Sequence, residues 1–381
     1  MDRCCWRSFK RDEMRRSAVE HSIARRPSLR WMLRLEPMVA SCICSTNMLY
    51  ASTLAGCIYA VELSSHRIRW VHRCYTPIVS TPVLVEDGGK KIVVASTFST
   101  WFDEKSSKYS NTNSIFALDA DDGSILWELS IEGDVFSSSC YADGLIVLGS
   151  LDRYVYAIDA YTGRIAWRFM TGGEVWSSPA YDSKRKSIII GSDDSNVYSL
   201  ALGDDCSSGS SGSSRLIWKS TLDGKVRSSS PCIVDEHIFI STYSGHVYCI
   251  NMDDGSIAWS RRVSEYPILS SPAYSNSRIF FGSSDTYVYA FDAREGSVLW
   301  RVKTGDRVWS SPAVAEGNST LLACSLDSKI YTIDADTGMV LWVFPTMDAI
   351  DASPCICDGR IFIGSRDGIL YAFDDTPDYI A

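Results

Sequence analysis

Five aspartates in this chain recur in the same short context, a turn of small residues that follows an apolar run. They are Asp152, Asp194, Asp285, Asp327 and Asp367. A ring of carboxylates can attract a cation or a basic segment of a partner protein. Aspartate is also common in tight turns because its side chain caps the backbone there. The sequence predicts a candidate interaction face at these five residues, and the turn-capping alternative stays open.

Other side chains that could do chemistry lack partners at the required spacing. The five histidines and thirteen cysteines form no CxxC pair and no zinc-ligand pattern. The serines of the repeated Ser-Ser-Pro runs have no His or Lys beside them in sequence to activate a nucleophile. We therefore predict no catalytic residue, no cofactor-binding residue and no metal ligand.

One group of cysteines allows two interpretations. Cys44 and Cys355 occupy equivalent positions in the first and last repeats, with Cys42 and Cys357 beside them. These residues become neighbours if the chain closes into a ring. They then form either a thiol cluster for metal binding or redox sensing, or a set of small buried apolar side chains.

The elements that position these residues are repeats of about forty residues, each with a tryptophan in the same place. Two longer intervals between tryptophans contain insertions. Because the position is fixed, we interpret these tryptophans as packing between repeats rather than as stacking platforms for a ligand. The repeat tryptophans are Trp31, Trp70, Trp127, Trp167, Trp218, Trp259, Trp300 and Trp342.

Each repeat holds four short apolar or alternating runs separated by Gly, Asp, Asn and Ser, which indicates four antiparallel strands, A to D. The predicted fold class is all-β, an eight-bladed β-propeller of four-stranded blades. The last repeat stops before its D strand. Trp31 precedes Val39 by the same eight residues found in other repeats. Residues 29–36 are therefore predicted to pair with residues 368–374 and to complete the last blade.

The domain organisation follows from this register. Residues 1–28 form a basic arm that we expect to be flexible, residues 29–375 form the propeller, and residues 376–381 form a tail. Insertions at 98–113, between strands B and C of blade 2, and at 203–214, between strands C and D of blade 4, interrupt the propeller. Strand direction alternates, so B–C turns and D–A loops share one face of the ring.

The first insertion carries exposed-type aromatic residues next to charges, namely Trp101, Phe102 and Tyr109. Aromatic side chains of this kind are typical interface anchors. The five aspartates are predicted on the same face. We predict that the B–C and D–A face binds the partner.

Charge excludes one class of partner. The chain has a formal net charge of −9, while residues 1–30 carry nine basic against four acidic residues. The remaining body is strongly acidic and repels nucleic acid. No apolar run has the length of a secretory signal or membrane span. We expect a cytoplasmic monomer that binds neither nucleic acid nor membrane.

The motifs Ser-Ser-Pro, Gly-Ser-x-Asp and Tyr-Ala-x-Asp-Ala-x-Thr-Gly followed by Trp resemble the repeat of the pyrroloquinoline-quinone (PQQ) propellers. The resemblance implies the quinoprotein-type propeller fold and covers residues 29–375. VFSSSC at 135–140 and IGSRD at 363–367 look like the C-terminal propeller of the β-alanine-activating enzymes, which follows adenylation and carrier domains. The bacterial assembly factor BamB is a more distant likeness.

The PQQ-dependent alcohol dehydrogenases are the third related family. Their vicinal cysteines flank the quinone, whereas the vicinal Cys4 and Cys5 of this chain lie outside the repeats. No calcium-binding set matches residue by residue. The sequence therefore favours a non-catalytic scaffold for a protein partner or for tethered carrier and adenylation domains. A PQQ-dependent dehydrogenase is the alternative.

Overall fold

The computed structural model describes residues 17–99, 113–203 and 215–374. These residues form eight sheets of four antiparallel strands that follow one another in space, and one sheet gains a fifth, parallel strand from the N-terminal residues. The innermost strand of each blade contacts that of the next, and the innermost strand of blade 8 contacts that of blade 1. The predicted eight-bladed β-propeller is confirmed. No helix in the described ranges is both long enough and apolar enough to cross a membrane.

The N-terminal residues contribute two strands, Ala18–Val19 (β1) and Ser28–Arg34 (β2). Blades 1 and 2 consist of Ile43–Cys44 (β3), Met48–Ser52 (β4), Cys57–Glu62 (β5), Arg67–Arg73 (β6), Val83–Asp87 (β7), Lys90–Ser96 (β8), Asn113–Asp119 (β9) and Ile125–Ile131 (β10). Blades 3 and 4 consist of Cys140–Ala142 (β11), Leu145–Gly149 (β12), Tyr154–Asp159 (β13), Ile165–Met170 (β14), Ala180–Asp182 (β15), Ser187–Gly191 (β16), Asn196–Ala201 (β17) and Leu216–Thr221 (β18).

Blades 5 and 6 consist of Cys232–Val234 (β19), His237–Ser241 (β20), His246–Asn251 (β21), Ile257–Arg262 (β22), Ala273–Ser275 (β23), Arg278–Gly282 (β24), Tyr287–Asp292 (β25) and Val298–Lys303 (β26). Blades 7 and 8 consist of Ala313–Ala315 (β27), Thr320–Ser325 (β28), Lys329–Asp334 (β29), Val340–Pro345 (β30), Cys355–Cys357 (β31), Arg360–Gly364 (β32) and Ile369–Asp374 (β33). A 3₁₀ turn, Glu316–Asn318, joins the first two strands of blade 7.

Burial explains why the inner strands are continuous apolar runs and the outer ones alternate. Strands B and C pack against neighbouring blades on both faces, so nearly all of their residues are buried, as in β12 and β16. The D strands lie at the rim and expose every second residue over much of their length, as in β14. The core is thus a series of apolar layers between blades.

The ring closes as the register predicts. Strand β2 pairs antiparallel with β33, and Trp31 lies opposite Ala372. The same pairing recurs within single blades, where Trp127 lies opposite Ala117. Residues from the two ends of the chain therefore complete blade 8, which removes the free edge that β33 would otherwise present.

The arm that precedes β2 differs from its prediction. Residues 17–27, expected to be flexible, pack across the A–B and C–D face from the channel to the rim. Strand β1 pairs in parallel with β27, Ile23 is buried, and the Thr332 hydroxyl donates to the Arg25 carbonyl over 2.6 Å. The segment has a buried side because its apolar residues are spaced among charged ones. Its charge-rich composition alone does not indicate that side.

A closed ring of hydrogen bonds surrounds the central channel. Two residues before each A strand, the backbone N–H of one Ser or Thr donates to the hydroxyl oxygen of the equivalent residue in the next blade over 2.8 to 3.2 Å. In order, the residues are Ser41, Thr81, Ser138, Ser178, Ser230, Ser271, Ser311 and Ser353, whose N–H donates back to Ser41. The repeated serines therefore bond neighbouring blades together.

The repeat tryptophans lie between blades. The indole N–H of six of them donates to a carbonyl of the next blade over 2.9 to 3.2 Å, as in Trp127 to Ala160; these six are Trp70, Trp127, Trp167, Trp218, Trp259 and Trp300. Trp31 instead stacks on His66, with ring centroids 5.0 Å apart. Trp342 packs edge-on against Phe373.

Close approach between blades also explains the glycine that ends several B strands. A Cβ on Gly149 would lie 2.2 Å from Cγ1 of Val175 in the next blade. We expect Gly149→Ala to lower the free energy of unfolding by about 1–3 kcal/mol because the side chains must shift. Urea denaturation measures this loss. Gly203→Ala, where no atom lies within 4 Å of the new Cβ, is the control, and equal effects of the two variants would contradict the packing argument.

Candidate functional site

The five predicted aspartates lie in the B–C turns of blades 3, 4, 6, 7 and 8. One carboxylate oxygen of each accepts a backbone N–H two residues later. The other accepts a tyrosine hydroxyl four residues later over 2.5 to 2.7 Å; these are Tyr156, Tyr198, Tyr289, Tyr331 and Tyr371. Such contacts are those of turn capping, and partner binding by these aspartates stays a prediction.

Burial and the bonded carboxylate both raise the pKa of these tyrosines, with burial the larger cause. Blades 1 and 5 lack the turn aspartate. There a carboxylate from the preceding D–A loop replaces it, since Tyr59 donates to Glu36 over 2.8 Å and Tyr248 donates to Asp223 over 2.5 Å. The carboxylate that receives the tyrosine is thus supplied from either of two loops.

Blade 5 brings Ser, His and Asp together in a way that the sequence did not indicate. Nδ1 of His246 lies 2.5 Å from Oδ2 of Asp223 and 3.3 Å from Oγ of Ser244. Acyl transfer needs the serine and the carboxylate on opposite ring nitrogens. Both contact the same nitrogen here, so this cluster does not activate a nucleophile.

The cysteine group is brought together by ring closure. Sγ of Cys44 and Sγ of Cys355 are 3.8 Å apart, and both residues are buried. Burial raises the pKa of Cys42 to about 12 and that of Cys355 to about 11. Protonated thiols are poor nucleophiles and poor metal ligands. Among the described residues, no three His, Cys, Asp or Glu side chains converge as metal ligands.

The aromatic residues of the first insertion, Trp101, Phe102 and Tyr109, lie outside the described residues. Their part in partner binding stays a prediction. The described part of the same face carries a different group of aromatic residues, most of them half-buried, around the central channel.

One residue from each blade lines this end of the channel, which we call the channel mouth. Each follows directly after a fully buried residue at the start of an A strand. The eight residues are Val39, Val79, Phe136, Trp176, Arg227, Leu269, Trp309 and Asp351. Since A strands begin at the D–A loops, the channel mouth lies on the B–C and D–A face.

One wall of the channel mouth is a cluster of tilted and edge-on aromatic rings, with a guanidinium beside them, from blades 2 to 5. The Phe136 and Trp176 rings are 5.3 Å apart, and Phe98 packs against both. The Arg227 guanidinium lies 4.8 Å from the Trp176 ring and 5.8 Å from the Tyr243 ring. Arg227 also pairs with Asp193, which raises the pKa of the guanidinium. Planar groups therefore cover this wall.

The opposite wall comes from blades 7 and 8. Nε1 of Trp309 donates to Oγ of Ser284 over 3.1 Å, and Arg307 lies over the Trp309 ring. Asp351 forms a two-pronged ion pair with Arg366. Burial raises the pKa of Asp351 despite this partner. By the eightfold arrangement, Trp309 of blade 7 faces Phe136 of blade 3.

The space between the two walls is a cavity of about 300 Å³. Its floor is the ring of Ser and Thr residues that bonds the blades together. Its walls are mostly apolar and aromatic. The sequence signal for this cavity was available in the position before each Ser-Ser-Pro run, where residue type changes from blade to blade, but only the ring shows that these positions converge.

Known proteins share this propeller geometry. A family model described as outer membrane protein assembly factor BamB matches residues 89–171 and 284–377. No curated protein matches the chain. BamB from Moraxella catarrhalis is 16% identical with a TM-score of 0.73, over 93% of this chain and 99% of BamB. The fold is that of the quinoprotein-type propellers.

Two dehydrogenases share this propeller fold. Quinohemoprotein alcohol dehydrogenase from Comamonas testosteroni is 12% identical with a TM-score of 0.78, over 98% of this chain and 82% of the enzyme. A europium-containing methanol dehydrogenase is 13% identical with a TM-score of 0.75, over 98% of each chain. At these identities the likeness shows the fold alone. The predicted likeness to the β-alanine-activating enzyme propeller stays a prediction.

The dehydrogenase likeness implies bound PQQ, and the channel mouth is the cavity in which it would lie. PQQ carries carboxylates and needs cations to neutralise them. Three arginines lie at or beside the cavity, and each is already paired with a carboxylate: Arg227 with Asp193, Arg307 with Asp306, and Arg366 with Asp351. The described residues also lack a converging set of three ligands for a divalent cation. The residues present do not fit this cofactor.

Proposed function

We propose that this protein is a non-catalytic binding propeller whose B–C and D–A face holds a protein partner. The observation that carries the proposal is the channel mouth, where aromatic surfaces face a cavity while the polar atoms of Trp176, Trp309, Arg227 and Asp351 are bonded within the protein. Such a surface offers contact area without a group poised for catalysis.

The comparisons support a protein partner. The matching family model describes an assembly factor, and we carry that kind of role, action on another protein, over to this chain. A second candidate is a tethered arrangement, in which adenylation and carrier domains dock on the propeller as in the β-alanine-activating enzymes. It rests on the sequence motifs at 135–140 and 363–367.

The proposal includes a cytoplasmic monomer. Its support is the burial of the cysteines, since nine of the ten in the described ranges are buried. Buried thiols that act as small apolar core residues are typical of proteins from reducing compartments. A PQQ-dependent dehydrogenase remains the alternative function, and alcohol-dependent dye reduction after addition of PQQ and calcium would overturn the non-catalytic proposal.

Site-specific photo-crosslinking tests the proposed face. Tyr243 is 44% exposed beside the channel mouth, and Met339 is 59% exposed on the opposite face. We expect a benzoylphenylalanine at position 243 to crosslink a discrete partner in native extract, and the same residue at position 339 to give none. Intact mass measurement of each crosslinked band gives the partner mass. Crosslinks from position 339 alone would assign function to the other face.

A further inference from the structure

We infer that the channel mouth receives one large apolar side chain from a basic segment of the partner. This inference rests on the proposed function and names the chemistry of the segment. Four observations carry it: the bonded state of the polar wall atoms, the size of the cavity, the occupied opposite end of the channel, and the charge of the surrounding loops.

The polar atoms of the cavity walls already have hydrogen-bond partners within the protein, so they do not need a partner from a ligand. The indole N–H of Trp176 donates to Glu174 and that of Trp309 donates to Ser284. A charged or strongly polar ligand group would have to break an existing bond or stay unpaired in the cavity, which costs free energy. An apolar group loses nothing there and gains contact with the aromatic faces.

The size of the cavity limits what enters. About 300 Å³ is at the lower end of ligand pockets. This volume accommodates a large side chain. We therefore expect the partner to contribute an anchoring residue that enters the cavity with its side chain.

The other end of the channel is occupied by the chain itself. Strand β1 pairs with the end of β27, and Ala18 is buried there against Val314 and Ala273. The A strands run from the channel mouth toward this end. The channel mouth is therefore the end of the channel that the described residues leave open to a partner.

The negative charge of the loops around the channel mouth indicates which residues flank the anchor in the partner segment. The D–A loops carry nine acidic residues against three basic ones, and the described B–C turns carry six against two. The opposite face is also acidic, so charge favours a basic partner in general. The apolar cavity then decides where that partner docks. We assign the segment an apolar anchor with lysine or arginine on either side.

The probe is a library of random twelve-residue peptides displayed on phage and selected on the immobilised full chain. We expect the enriched peptides to share an aromatic or large aliphatic residue flanked by Lys or Arg. Synthetic versions should bind Trp309→Ala and Phe136→Ala at least tenfold more weakly than the parent. Met339→Ser on the opposite face is the matched control and should bind unchanged.

Two further measurements keep the test independent of folding. Each variant must melt within a few degrees of the parent, and Tyr243→Ser, which changes an exposed rim residue, should weaken binding severalfold. Higher salt should weaken binding of the basic peptides. Enriched peptides without basic residues, peptides insensitive to the mouth variants, or no enrichment would overturn the inference. Crosslinking of a partner from position 243 would still stand in that case and would preserve the proposed function.

Discussion

Removal of residues 1–34 is expected to make the protein form larger oligomers or aggregates, because blade 8 then loses its D strand. The deletion removes every β2 pairing with β33. It leaves the main-chain donors and acceptors of a buried strand unpaired at a sheet edge, and such edges pair with other chains. Size-exclusion chromatography with light scattering measures the change in mass.

A shorter deletion separates closure from the packing of the arm. Removal of residues 1–26 keeps β2 but takes away the buried side chains of Val19 and Ile23. We expect this variant to stay monomeric and to lose about 3 kcal/mol or somewhat more, the contribution of two buried aliphatic side chains. If the two deletions behave alike, β2 does not close the ring.

Complementation provides a second readout for the longer deletion. A synthetic peptide of residues 26–37 contains the whole of β2, including Trp31, which lies opposite Ala372. Added in excess to the protein lacking residues 1–34, it should restore the oligomeric state of the full chain by adding the missing strand. The same peptide with Trp31 replaced by Ser should restore less, because Trp31 packs against Phe362 and His66.

Replacement of a repeat tryptophan is expected to have the second large effect. Trp127→Ala should lower the free energy of unfolding by about 3–5 kcal/mol, since it leaves a cavity between blades 2 and 3. Trp127→Phe should cost about 1 kcal/mol from the lost hydrogen bond to Ala160, together with a smaller packing loss. Chemical denaturation measures both values.

Trp309→Ala is the control for these variants. Trp309 lies half-buried at the channel mouth rather than between blades, so we expect it to affect stability much less than Trp127→Ala and to affect binding more. Similar losses of stability at both positions would show that the two tryptophans share a structural role. That result would remove the distinction between tryptophans that pack between blades and residues that line the channel mouth.

Contacts between residues close together in the chain leave a signal in the sequence, whereas contacts between distant residues do not. The Asp152 carboxylate caps its own turn and reaches Tyr156 four residues away, and aspartate in such a turn is a signal that sequence carries. The distances were needed to show the capping contacts, and partner binding by these aspartates stays a prediction. The packing of Val19 and Ile23 was hidden because a short segment rich in charge resembles a flexible one.

Blade number, strand order and closure were determined by the sequence itself, because the repeat interval and the offset of Trp31 from Val39 are properties of the chain alone. The channel mouth was decided only by the tertiary structure. Its eight residues are about forty positions apart along the chain, and each is unremarkable within its own blade. The closed ring, which sets eight A strands around one axis, brings them together and gives them a common surface.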